Sequence, residues 1–543
     1  MTIDRAQEQA TPVATMSWRD RPRTGILVVT ALVLAAAVVT SIGIQTPWPW
    51  SDEGATYLAV QRSWTELAVL WQSRDAPLVP YYYLAKAWTT IWSHLAPAVP
   101  TLVVVRLLSA AAATATVPVL YALVARNAGR LAGTIAAVLL LSFPGFIRYA
   151  QEARPYALML LAATVAWLVS DRHLRPAASG FRVRPGAACA HAAGLAAVGA
   201  IHTFGLCQWP AHLLAAALAP GDRRDRFRRT ASVVVVLLVA GALVGAQVIA
   251  SLGHGTGPIG ADSERAVTWF TVPGEVLRGI SLTPLILASV VVVGLALVGA
   301  LSRPGGRRDF PLSLVIWLVV PLALAIGVGA VRTNLFRIRY WVAFLPPLAA
   351  LAALGVVAIA AVVVRLATAL ASGPGSSGAA GPGSLALRAA FIMPICALLV
   401  LQVTIALPAQ VRVRVSVGHG ENLAGVRTAL ADARVRHPGV RAAISAASVS
   451  GTLAAVEPGL LGENPLRRLD PAARSVYTTA NSPATVRQRL AGATHLLWIH
   501  DGPLVPAELP VRLPRSLARL NPVVLEVRPA GPGWTTVLLQ LPG

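Results

Sequence analysis

The sequence predicts a polytopic α-helical membrane protein of about 11 transmembrane helices, N-terminus inside and C-terminus outside, followed by a small extracytoplasmic α/β domain. Three observations predict it. Of 543 residues, 55% are hydrophobic and only 13% charged, with a mean hydropathy of +0.64, a composition that excludes a soluble multidomain chain. Apolar runs of about 20 residues, the length needed to cross a bilayer core of about 30 Å, recur along the first three quarters of the chain. Arginines crowd three of the short loops between those runs, which marks these loops as cytoplasmic.

The runs lie near 25–44, 101–125, 131–147, 155–170, 187–201, 203–219, 230–250, 279–301, 311–330, 340–363 and 388–407. The polar segment 1–24 is expected as a cytoplasmic tail. The run after it has no small-residue cleavage site and reads as a retained first helix. The loops dense in Arg are 171–186 with Arg172, Arg175, Arg182 and Arg184, 221–229 with five arginines, and 302–310 with Arg303, Arg307 and Arg308. Placing them inside puts loop 45–100 and everything after about 408 outside. The stretch Pro77 to Leu95 carries three tyrosines, two tryptophans and Lys86, the one lysine among 46 basic residues. Counted as a span it would turn the Arg loops outward, so it is expected as a helix lying at the membrane interface.

The net charge of +23 would suggest nucleic acid in a soluble protein. Here roughly 20 of the basic residues fall in the expected cytoplasmic segments and about 15 in the tail after 408, so the charge reads as topology and no nucleic-acid partner is expected. The three cysteines, Cys189, Cys207 and Cys396, sit in apolar segments without disulfide or metal spacing.

The expected domains are therefore 25–407 in the membrane and 408–543 outside. In the latter, Val426 to Val435 reads as a helix and Arg441 to Ala447 as a strand. Ser482 is an N-cap for a helix through Leu490, His495 to His500 a strand, and Val523 to Val527 with Thr535 to Leu541 a hairpin around Gly-Pro-Gly. No nucleophile elbow, phosphate loop or metal-ligand spacing occurs there.

With this orientation, the polar residues that are costly near a bilayer gather on the outer side. They are the acidic pair Asp52 and Glu53, then Arg74, Asp75 and Lys86. The group Arg148, Tyr149, Gln151, Glu152, Arg154 and Tyr156 follows, with His202, Arg337, Arg339 and Tyr340. Each has a plainer role by itself: the arginines can anchor on lipid headgroups, Glu152 can pair with Arg154, and His202 can be a packed turn residue. Together they suit transfer to a hydroxyl from a phosphate-linked donor. A carboxylate takes the hydroxyl proton while guanidiniums hold the leaving phosphate bidentately.

At these residues the sequence resembles the GT-C superfamily of integral-membrane glycosyltransferases, in particular glycosyltransferase family 39, the group with protein O-mannosyltransferases and aminoarabinose transferases. Ser51-Asp52-Glu53 resembles the family's first-loop acidic motif, and Asp75 through Trp88, with Tyr82, its interfacial helix. Arg148-Tyr149-Ala-Gln151-Glu152-Ala-Arg154-Pro155-Tyr156-Ala-Leu is similar to its Ser-Gln-Glu-x-Arg-Pro-Tyr-x-Leu stretch, the most specific match. His202-Thr-Phe-Gly and Arg339-Tyr340 with Leu345-Pro346 resemble two further elements.

The resemblance covers about 400 residues. It implies inverting transfer of a sugar from a polyprenyl-phosphate donor to an extracytoplasmic glycan or lipid acceptor, with Asp52 as general base. Glu53 and Glu152 would shape the pocket, and the arginines would hold the donor phosphate. The family's His-Pro-Pro is replaced around Ala76-Pro77-Leu78, and no segment resembles the extra carbohydrate-binding module of eukaryotic O-mannosyltransferases. Metal dependence stays open, since a carboxylate pair can hold a divalent metal or work without one. The competing class is a transporter or flippase of an anionic lipid-linked glycan, against which stand the one-sided placement of the ionisable groups and the lack of an internal repeat.

Overall fold

The computed structural model describes residues 22–73, 75–175, 180–253, 287–304, 309–331, 338–371, 384–420, 422–470, 472–531 and 533–542. Each of the eleven apolar runs carries a helix. These are α1 (Pro22–Ser41), α5 (Thr101–Ala128), α6 (Arg130–Ser142) with α7 (Pro144–Ala150), α8 (Tyr156–Leu174), α9 (Pro185–Ile201) and α10 (Trp209–Leu218). After them come α11 (Arg223–Gly253), α12 (Leu287–Leu301), α13 (Asp309–Val331), α14 (Leu345–Ala371) and α15 (Ser384–Arg414). The run near 279 is described from 287 onward. Among the described residues, five helices are long and apolar enough to cross a membrane: Thr101–Ala128, Tyr156–Leu174, Arg223–Ser251, Val342–Leu370 and Ala389–Arg414.

The run 131–147, expected as one span, is two helices bent by 70° at Phe143. Pro144 follows, and a proline both lacks the N–H that would continue the helix and pushes its predecessor into extended geometry. Phe143 accordingly has φ −75° and ψ 119°. The bend turns α7 aside and delivers Arg148 to Arg154 as a buried shelf.

The helices share one core. Where α12 crosses α14, Gly299 lies against the carbonyl of Leu351 and Gly355 against that of Leu295. A Cβ at either glycine would collide with a backbone oxygen, so small residues set the close approach. The outward faces stay apolar: Ile26 and Leu34 on α1, Leu238 and Leu243 on α11, and Val400 and Leu407 on α15 are all exposed, as lipid-facing helices require.

Between α1 and α5 the chain folds into α2 (Ser51–Gln61), α3 (Trp64–Val69) and α4 (Val79–Leu95). Ser63 and Glu66 form a reciprocal capping box on α3. The stretch expected to lie at the interface is α4, which buries Val79, Tyr81, Tyr82 and Ala85 and exposes Leu84, Ile91 and Leu95.

After α15, which runs to Arg414 rather than stopping near 407, come α16 (Ala424–Arg436), β1 (Arg441–Ile444), α17 (Ala447–Val456) and α18 (Gly459–Glu463). The short β2 (Arg467–Arg468) and β3 (Thr479–Ala480) precede α19 (Pro483–Leu490), β4 (His495–Asp501), β5 (Val523–Pro529) and β6 (Trp534–Gln540). Ser482 caps α19 by accepting from the Thr485 N–H. The sheet order is β1-β4-β6-β5, with β1 parallel to β4 and the other pairs antiparallel. The expected hairpin is β5–β6, with a register shift between Val524 and Glu526. Beyond it, Ala454 and Val476 pack into the core formed by α2, α4 and the start of α5.

Candidate active site at the first turn of α2

Trp50 enters α2 in extended geometry, and Asp52 and Glu53 form the first turn, where unpaired N–H groups and the helix dipole favour carboxylates. Consecutive helical residues point about 100° apart, so the two acids diverge into different surroundings.

Glu53 is fully buried. Its Oε1 accepts from Arg106 Nε (2.8 Å) and the Ala153 N–H (2.8 Å), and its Oε2 from Arg106 Nη2 (2.8 Å) and His419 Nδ1 (3.3 Å). Burial works against its charge, yet the Arg106 and His419 contacts hold the carboxyl well below the usual range. Burial keeps His419 neutral, with its pKa down at about 3, so its Nδ1–H donates to the carboxylate. Arg106 also donates to the carbonyls of Ile44 and Pro47, which joins α5, the end of α1 and α2 in one knot.

Asp52 is different. Its carboxylate remains partly open, with Arg154 Nη2 at 3.6 Å and Arg339 Nη2 at 3.7 Å from Oδ2. Arg154 Nη1 donates to the Asp52 carbonyl (3.3 Å) and to Thr56 Oγ1 (3.4 Å), and Arg339 lies over the Trp50 ring at 5.0 Å. Two guanidiniums thus bracket one accessible carboxylate. A cation shared by Asp52 and Glu53 would have to displace Arg106 from one or both guanidiniums from the other, so the pair does not fit a common metal ion. Among the described residues no group of three or more His, Cys, Asp or Glu has the arrangement to hold one.

The shelf after α7 surrounds this carboxylate. Glu152 is buried with neither oxygen hydrogen-bonded among the described residues, and Arg148 Nε lies 3.6 Å away. Burial, with the Glu53 and Asp52 charges adding to it against Arg148, pushes its carboxyl up to about 7. Arg148 donates to the carbonyls of Gly418 and His419, and Gln151 to those of Thr40 and Ile42. Both therefore tie chain segments together. Tyr149 packs edge-on to Tyr156 at 5.4 Å, and Tyr156 lies 6.0 Å from His202. His202 Nδ1 accepts from the Phe204 N–H at 3.2 Å. Burial and the neighbouring Arg154 and Arg339 lower its pKa to about 3.

Asp75 and Tyr82 complete the floor. Asp75 accepts from the Val476 N–H at 3.0 Å, and burial raises its pKa. Burial, followed by the nearby Asp75, pushes the Tyr82 phenol up. Lys86 is not brought to Asp52: it donates to the Val60 carbonyl at 2.9 Å, at the other end of α2, about 12 Å along the helix. Arg74 and Arg337 lie outside the described residues, as does the Tyr340 side chain, whose backbone belongs to the 3-10 turn Ile338–Phe344.

Sequence reasoning missed four residues. Arg106 was visible as a lone cation inside an apolar run, the pattern that marks a functional intramembrane residue. Arg62, His419 and Tyr477 carried no local signal, because each acts across hundreds of residues. Buried Arg62 donates to the carbonyls of Asp470, Ala473 and Ser475, and burial, with the Asp52 charge adding to it, pushes the Tyr477 phenol up.

No family model matches the sequence, and no curated protein matches it. Solved structures do. The crystal structure of ArnT from Cupriavidus metallidurans bound to undecaprenyl phosphate is 15% identical and aligns over 96% of this chain and 98% of that one, with a TM-score of 0.55. The apo form is 14% identical over 95% and 98%, with a TM-score of 0.56. At this identity the likeness carries the fold alone: from end to end, the chain folds like these two structures.

Proposed function

We propose that the protein is a membrane glycosyltransferase that moves a sugar from a polyprenyl-phosphate donor to a hydroxyl on an extracytoplasmic glycan or lipid, with inversion at the anomeric carbon. The observation that carries this reading is the accessible Asp52 carboxylate between Arg154 and Arg339, beside a Glu53 whose oxygens are all taken. The GT-C fold and the undecaprenyl phosphate bound by ArnT support the donor class.

In this reaction Asp52 accepts the acceptor's hydroxyl proton as that oxygen forms a bond to the anomeric carbon. The bond to the donor phosphate oxygen breaks with its electron pair, and the phosphate leaves onto the guanidiniums of Arg154 and Arg339. Such donors act most strongly where charge grows and water is thin. Glu53 and Arg106 hold the α2 turn in place. Residues 25–407 form the membrane catalytic domain, with its site outside, and 408–543 the part that closes over it.

Asp52→Asn keeps the shape and removes the base. Transfer from a polyprenyl-phosphate sugar in proteoliposomes is expected to fall about 10²- to 10⁴-fold with an unchanged melting temperature. Near-full transfer would remove Asp52 from this role, and lipid movement across the bilayer without sugar consumption would favour the flippase.

A further inference from the structure

A cavity of about 780 Å³ lies far from Asp52. It opens among the C-terminal ends of α5, α8 and α10 and the N-terminal ends of α11 and α13. Along α5, Arg106 at the acidic knot and Asn127 at the cavity are 21 residues apart, about 30 Å of helix. The same span separates Arg154, before α8, from Arg175 after it. The cavity thus sits at the opposite end of the bundle and shares no residue with the site described above.

Its wall is chemically divided. Among the described residues, Leu123, Leu218, Phe310 and Leu314 give it an apolar side, and Asp171, Arg175, Arg229 and Asp309 a charged rim of two cations and two carboxylates. Arg175 donates to Asn127 Oδ1 (3.0 Å) and pairs with Asp171 (3.1 Å). Arg229 donates to the Pro220 carbonyl and stacks on Phe181. Those bonds leave particular donors over. Arg175 Nε, Arg229 Nε and Trp167 Nε1 all belong to lining residues, are buried, and have no hydrogen-bond partner among the described residues. Trp167 is held rigidly between His212 (4.1 Å) and Trp317 (5.2 Å), and is 5% exposed. Buried N–H groups without acceptors are costly, and native structures supply a partner.

A partner for this wall needs acceptor oxygens for three N–H groups, a positive group that tolerates the carboxylates, and an apolar tail. We infer that the cavity binds the headgroup of a zwitterionic phospholipid from the leaflet opposite Asp52. Its phosphate faces Arg175, Arg229 and Trp167, its ammonium the Asp171 and Asp309 side, and its glycerol and first acyl carbons the apolar wall. Among the described lining residues the charges balance, two against two, which favours this headgroup over an anionic one. The lipid adds a bridge among five helix ends to the side-chain bonds already there, so it braces the bundle on that face. This inference does not rest on the reading of Asp52.

The test uses the full chain, purified in detergent and examined by native mass spectrometry with phosphatidylethanolamine, phosphatidylglycerol or inorganic phosphate added. One phosphatidylethanolamine per chain is expected in preference to phosphatidylglycerol. Trp167→Phe keeps the ring and removes one donor, and should weaken retention about 5- to 10-fold, the value of one buried hydrogen bond. Ala215→Phe, which fills the cavity from its wall, should abolish it. Undiminished retention in Trp167→Phe overturns the inference, as does displacement of the lipid by inorganic phosphate, which would mark a free-anion site. Sugar transfer by Trp167→Phe under saturating donor should stay near wild type.

Discussion

Asp52 and Glu53 are neighbours in one helical turn, and their chemistry is decided by what faces each. Glu53 has four donors and no room, so it is a strut. Asp52 has two guanidiniums at ion-pair distance and an open side, so of the two it is the carboxylate that a second molecule can reach. Glu152 is a third case, a buried carboxyl with no hydrogen-bond donor of its own among the described residues. Its folded pKa of about 7 lies above the ordinary value of 4.5. Below pH 4.5 both folded and unfolded chains hold the proton and nothing is lost. As pH rises toward 7 the unfolded chain releases it while the folded chain does not, so stability falls, and above 7 the loss levels off at on the order of 3 kcal/mol. Glu152→Gln should therefore melt higher than wild type at pH 8 and alike at pH 4.5. Thermal unfolding at the two values checks it, and an equal difference at both would show that titration is not the cause.

At the scale of elements, the position of α2 depends on one close crossing. Gly54 and Gly451 bring α2 and α17 together so tightly that a Cβ at Gly54 would run into the Thr452 nitrogen and lie 2.7 Å from the Gly451 carbonyl carbon. Neither atom can yield, since both are backbone. Gly54→Ala is expected to cost about 1–3 kcal/mol and, because Asp52 lies two residues before it, to lower transfer more than it lowers donor affinity. Kinetics and melting of the same preparation separate the two effects. The α6–α7 bend works in the same way: Pro144 breaks a would-be span and turns its last residues into the shelf that carries Arg148 to Arg154.

At the scale of the molecule, the C-terminal part helps build the site. Arg62 holds the 470–475 loop by three carbonyls, Asp75 holds Val476, Arg148 holds Gly418 and His419, and His419 reaches Glu53. Arg62→Met would leave three half-buried carbonyls without that donor, each bond worth about 0.5–1.5 kcal/mol. Local opening of 470–476 should then be easier, and limited proteolysis there at least about 10-fold faster, with α5 and α8 still protected. Unchanged cleavage would mean that the loop is held by other contacts.

What the sequence by itself determined was local or periodic. Hydropathy located the helices, Ser482 capped its helix, and the β5–β6 hairpin announced itself by its turn. The ordered motifs named Asp52, Arg154 and Arg339 as one group, and the fold lays the two guanidiniums against that carboxylate. These signals are written within a few residues of where they act. Tertiary structure alone decided which acid is open and which is locked, that Lys86 caps α2 at about 12 Å from Asp52, and that Arg148 and Gln151 tie backbone. It also brought His419 and Tyr477 to the site and Arg62 to the carbonyls of Asp470, Ala473 and Ser475. Burial and pairing set the charge and reach of a side chain. Both are properties of what the fold lays against it, and a residue number does not carry them.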